Sequence, residues 1–165
     1  MTDHADVPPP TLVAAQLVLG AIASERVPWW AACWLVDGYD GEALRQLAGL
    51  GVGDNREIGD LLPLALAEMS VELPSSESAA ATVSFDHVAR MCLSGVASER
   101  WVAQKVEETV ALSGHDPAVL DLPLGRLYGL EDAWVGGWGP PEDDARRQVR
   151  AACIQQVKGR AQRTS

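Results

Sequence analysis

The sequence predicts an all-α fold. Apolar residues recur at helical spacing along nearly the whole chain. Glycine, proline and Ser/Asp caps cut that texture into short segments. No alternating run of β-branched or aromatic residues occurs, and Asp37-Gly38 and Asp40-Gly41 fall between helical segments, not between strands. The 165 residues suffice to bury a core without disulfides or metal. The expected architecture is an irregular single-domain bundle of about six to eight short helices.

Residues 1–10, ending in Pro8-Pro9-Pro10, read as a flexible N-terminal arm, and 11–165 as the single helical domain. Thr11 is placed to cap a helix carrying Leu12, Ala15, Leu19 and Ile22. Pro28 fits the first turn of a second helix, Trp29 to about Asp37. Glu42 to Leu50 is a third, stopped by Gly49, Gly51 and Gly53. Asp54 with Glu57 three residues on gives a capping-box spacing for a fourth, reaching about Ser70. Pro63 predicts a kink or restart in it. Val71 to Pro74 is a linker. Ser75 or Ser76 caps a helix ended by Gly95, and Ser98 starts another that runs to Ser113-Gly114. Asp116-Pro117 opens a short helix, and 123–136 holds one more, loosely. The break at 136–140 precedes the terminal basic helix, about 141–161, whose inner face is Ala145, Val149, Ala152, Cys153, Gln156 and Val157.

Charge is uneven. The chain has 13 basic and 23 acidic residues, net −10. After Asp144 there are six basic residues and no acid, so the basic helix is expected to pack across an acidic body. An acidic chain disfavours direct nucleic-acid binding. A helix–turn–helix reading of 85–106 is disfavoured too, because its second helix carries Glu99, Glu107 and Glu108 against Arg100 and Lys105. No apolar run is long enough to span a membrane. The acidic start lacks the basic-then-apolar order of a signal peptide, so cytoplasmic residence is the expectation.

Catalytic and metal signatures are missing. His4, His87 and His115 form no metal-ligand spacing, and Cys33, Cys92 and Cys153 lie about sixty residues apart among apolar neighbours. No nucleophile elbow occurs. The glycines at 49, 51 and 53 follow a helix instead of a strand, and Asp54 would repel a phosphate there. The expectation is therefore a non-enzyme without cofactor or metal.

What stands out is tryptophan, six of the nine aromatic residues. Trp30 and Trp34 share a helix face while Trp29 points elsewhere, and Trp101 reads as core. Trp134 and Trp138 flank the glycine break beside Glu131 and Asp132. An aromatic beside acids is a candidate binding hot spot. The candidate partner-binding set is Asp54, Glu57, Asp60, Glu131, Asp132, Trp134 and Trp138.

The run from Leu35 to Leu50 carries a G-x-D-x-x-x-L-R-x-L-A-G-L element, and an acidic helix follows from Asp60 to Glu68. With Gly95 to Val102 and Leu130 to Trp134, these resemble a family of small all-helical actinobacterial proteins with no established activity. The resemblance covers roughly 15–155 and implies a helical fold and a bacterial cytoplasm, but no catalytic residue. Small, acidic, solitary helical domains are also similar to toxin-neutralising immunity proteins. The expected function is thus a protein-interaction module whose acidic surface binds a basic protein partner, in its most concrete form an immunity-type inhibitor. Two alternatives stand beside it: a small-molecule-binding or accessory protein of a biosynthetic or regulatory pathway, and a DNA-mimic or transcription-associated regulator. Alanine- and leucine-rich helices also leave room for a homodimer through an apolar face.

Overall fold

A computed structural model describes residues 7–163 of the chain. Residues 1–6 of the expected N-terminal arm (1–10) lie outside the described residues. The fold is all-α: 71% helical, with no strand among the described residues and nine helices, eight of them of seven residues or more. The chain forms two compact units, Met1–Ser75 and Ser76–Ser165.

The first unit holds α1 (Pro10–Leu19), a 3-10 turn (Ser24–Arg26), α2 (Val27–Val36), α3 (Glu42–Ala48) and α4 (Asn55–Glu68). Helix α1 starts earlier than Thr11 because Pro10 suits a first turn, where its missing N–H has no intrahelical partner anyway. Pro10 is buried, and the Pro8 carbonyl accepts the Trp34 indole N–H at 3.2 Å. The described end of the proline segment is therefore tied to the core. Helix α3 packs against α2 and α4 around Val27, Trp34, Leu44, Leu47, Ile58, Leu62 and Leu66. Trp30 and Trp34 are both buried and Trp29 is exposed, as their helical positions predict.

Two caps in this unit differ from the sequence expectation. Asp54 does not cap α4 with its side chain. Its carboxylate turns back and accepts the Gly51 N–H at 2.9 Å, closing the glycine turn instead. Helix α3 has no local cap, and Glu68 from the far end of α4 supplies one. The Glu68 carboxylate accepts the Ala43 N–H at 3.0 Å and the Leu44 N–H at 3.2 Å. A Cβ at Gly41 would collide with that carboxylate, so only glycine fits there. Pro63 lies inside α4, which continues through it to Glu68.

The second unit holds α5 (Glu77–Leu93), α6 (Glu99–Leu112), α7 (Pro117–Leu120), a 3-10 turn (Gly125–Leu127), α8 (Leu130–Gly136) and α9 (Glu142–Arg163). Three caps follow the sequence: Ser76 accepts the Ala79 N–H, Ser98 the Trp101 N–H and Asp116 the Ala118 N–H. The loosely expected helix over 123–136 resolves into the 3-10 turn and α8. Helix α9 lies along α5, and α6 packs on both. Their core includes Phe85, Val102, Val106, Leu124, Val149 and Cys153.

That core contains a polar node. Asp86 on α5 is buried, and Gln156 on the inner face of α9 is fully enclosed. The Gln156 amide donates to Asp86 at 2.7 Å, and its oxygen accepts the Leu124 N–H at 3.3 Å. Arg163 reaches the same carboxylate at 3.2 Å. The node fixes the register of α9 on α5, since a polar group left unpaired in a core is costly.

Candidate functional site

The acidity is concentrated in the first unit. Residues 1–75 hold 3 basic and 11 acidic residues, net −8, while residues 76–165 hold 10 and 12, net −2. The basic α9 is thus balanced inside its own unit. Arg150 pairs with Glu99 on α6 at 3.0 Å, and Arg163 with Asp86. Arg146 pairs with Glu142 at 2.7 Å and Arg147 with Asp144, both within α9. The unbalanced charge belongs to the first unit.

Asp54, Glu57 and Asp60 all lie there, at the start of α4, and all three are exposed. Helix α4 buries Ile58, Leu62, Ala65 and Leu66. Glu57 and Asp60 therefore face outward, one turn apart. Leu64, 57% exposed, continues the same outward face. Beside it runs a groove of about 510 Å³ between α3 and α4, lined by Ala43, Leu61, Leu64 and Ala67 and rimmed by Glu42 and Glu68.

Glu131, Asp132, Trp134 and Trp138 lie in the second unit, so the structure places the candidate set on two units. Glu131 and Asp132 occupy the first turn of α8, where carboxylates suit the helix dipole. The two tryptophans differ. Trp134 is half-buried against the core, and the Arg100 guanidinium sits 5.7 Å from its ring centre. That face is engaged from within the protein. Trp138 is 71% exposed and Val135 67%. The intervening loop is tightly folded: a Cβ at Gly136 would meet the Trp138 indole, and one at Gly139 would come within 2.7 Å of the Ala133 Cβ. Trp138 is thus an aromatic held outward on a constrained turn. A groove of about 480 Å³ lies beside Trp134, lined by Arg100, Ala133, Pro140, Pro141 and Glu142.

Glu107 is the site residue that sequence reasoning missed. Its carboxylate accepts the Gly129 N–H at 2.5 Å, tying α6 to the start of α8. Desolvation pushes its pKa up; the Gly129 bond opposes this, and Asp132 and Glu131 add to the rise. No motif signals it, because the three carboxylates meet only through the fold. His115, at a positive φ of 60°, meets Tyr128 edge to face, its Nε2 3.1 Å from the hydroxyl. His87 is half-buried, and burial followed by the Arg90 charge holds its pKa down.

The thiols are poorly placed for nucleophilic work. Cys33, Cys92 and Cys153 are buried and free. Burial pushes each thiol up, Cys153 to about 12 with Cys92 beside it. The thiolate is the reactive form, and it is scarce at neutral pH under those conditions. Among the described residues no group of three or more His, Cys, Asp or Glu side chains gathers as a metal would require. No helix among them is long and apolar enough to cross a membrane. Compared with protein-family models, curated proteins and solved structures, the chain matches none of them.

Proposed function

We propose that this protein is a non-enzymatic interaction module whose acidic first unit binds a basic protein partner. One observation carries the reading: eleven acidic against three basic residues in Met1–Ser75, with Asp54, Glu57 and Asp60 exposed on one helix start. Such a field steers a cationic partner and raises its rate of encounter. Trp138 with Val135, beside Glu131 and Asp132, offers the second unit's contact. An exposed aromatic in an acidic setting suits a hot spot for a basic surface. In its most concrete form the partner is a basic toxin, the carboxylates standing in for the phosphates of its substrate. The resemblance to small helical actinobacterial proteins is compatible with this role.

The test is affinity capture from the native host at low and at high salt. A cationic protein retained at low salt and released at high salt is the expected result. Glu57→Gln with Asp60→Asn should weaken retention, and Trp138→Ala should weaken it independently. Recovery of no basic protein at low salt would overturn the reading.

The groove beside Trp134 favours a second reading, a small-molecule binder. It combines an aromatic face, a guanidinium and two prolines in about 480 Å³. A compound that raises the melting temperature of the wild type, but not of Trp134→Leu, would select it.

A further inference from the structure

An apolar face on an acidic helix needs explanation, and α4 has one. Its outward side reads Arg56, Glu57, Asp60, Leu64, Ala67 and Glu68, with the half-buried Leu61 at its edge, at spacings of three and four. The inward side already contains the apolar residues that the core uses. Leu64 and Ala67 are exposed on the other side, at the groove floor. A second groove of about 560 Å³, including Pro63, Val71 and Leu73, adjoins at Ala67. The apolar strip thus runs for nearly two turns of α4, Leu61 to Ala67, and on to Val71 and Leu73 beyond the helix end. Around it carboxylates predominate: Glu42 and Glu68 on the rim, Asp60 and Glu57 at one end, Glu72 at the other, against Arg56 one turn before Asp60 and Arg45, which is paired with Asp40.

We infer that the α3–α4 groove is a docking site for an amphipathic cationic helix of a partner protein. Leucine-like side chains of that helix seat at Leu61, Leu64 and Ala67, and its flanking lysines or arginines meet the carboxylate rim. Helices dock in this way when apolar anchors recur at the spacing of one face. Charge selects the occupant. A second copy of the chain would bring another unit of net −8 against the same rim, and an anionic lipid surface would be repelled as well. The inference rests on the acidic-module reading and adds the place and the shape of the contact.

The probe is a synthetic 18-residue peptide with leucines on one helical face and lysines on the other. Its control is the same composition in scrambled order. Titrated into the full-length protein at low salt, the patterned peptide should bind at least tenfold more tightly than the scrambled one. Backbone amide shifts should centre on Ala43, Leu61, Leu64 and Ala67. Leu64→Ser, at an exposed position that the fold does not need, should weaken binding about tenfold, the loss of one seated leucine. Ala67→Arg should weaken it by placing a cation on the floor. Val52→Ser, in an exposed loop, should leave it unchanged. Equal binding of the two peptides overturns the groove and leaves the acidic-module reading standing. Binding of neither at low salt overturns both. A wild-type dimer that Leu64→Ser separates assigns the face to a second copy and overturns the inference.

Discussion

Glu68 shows how much one side chain can do at a distance. It caps a seven-residue helix from 25 positions away, and Gly41 makes room for it. Glu68→Ala should cost about 1 kcal/mol in urea unfolding, the usual size of a lost cap, while Glu68→Gln keeps the acceptor and most of the stability. Glu107 carries the opposite lesson. Its pKa is raised in the folded state, mainly by desolvation. The folded protein therefore holds that proton more tightly than the unfolded chain. Its contribution to stability falls as pH rises from the ordinary carboxylate range through the raised value. Glu107→Gln keeps an oxygen for the Gly129 N–H and removes the charge. It should raise the melting temperature at pH 7 and have little effect near pH 3, as thermal unfolding at both pH values would show. Neither role is legible locally: a carboxylate's partner 22 or 25 residues away is set by how helices pack, which no spacing rule encodes. By contrast, Ser76, Ser98 and Asp116 cap through neighbours two or three residues on, and those were readable.

At the scale of helices, the sequence signals that succeed are those that work within one segment. The inner face of α9 was visible as a periodic pattern, including Gln156, but its partner Asp86 lies 70 positions earlier. Asp86→Ala leaves the Gln156 amide enclosed without an acceptor and should cost about 1–3 kcal/mol. Pairing it with Gln156→Leu removes the orphan and should recover part of the loss, which a double-mutant cycle in urea would measure. The capping box at Asp54 misled because the carboxylate had two reachable donors. The Gly51 N–H in the glycine turn took it, leaving the start of α4 without that bond. Trp134 and Trp138 looked equivalent because both flank Gly136-Gly137. Only the packing of α8 on the core separates a half-buried indole from an outward one.

For the molecule as a whole, net charge was readable but its placement was not. The basic tail suggested one acidic body beneath it, yet most of the excess lies in Met1–Ser75, where few cations offset it. Arginines on α9 are matched by Glu142, Asp144, Glu99 and Asp86. A cationic protein should therefore associate with a rate that falls steeply with salt. Glu57→Gln with Asp60→Asn should lower that rate severalfold and alter dissociation little, as stopped-flow mixing would show. Under the proposed function the candidate residues on α4 and those around α8 would play separable parts, electrostatic approach in one case and aromatic seating in the other.

The outward indole of Trp138 also supplies an optical handle. Trp30 and Trp34 are sealed, Trp101 and Trp134 are half-covered, Trp29 is 44% exposed and Trp138 71%. Red-edge emission, the part that acrylamide extinguishes first, should come from those two rings. A Trp29→Phe protein would leave the α8 turn as the main accessible emitter, so contact there could be followed by its intrinsic light without any attached dye.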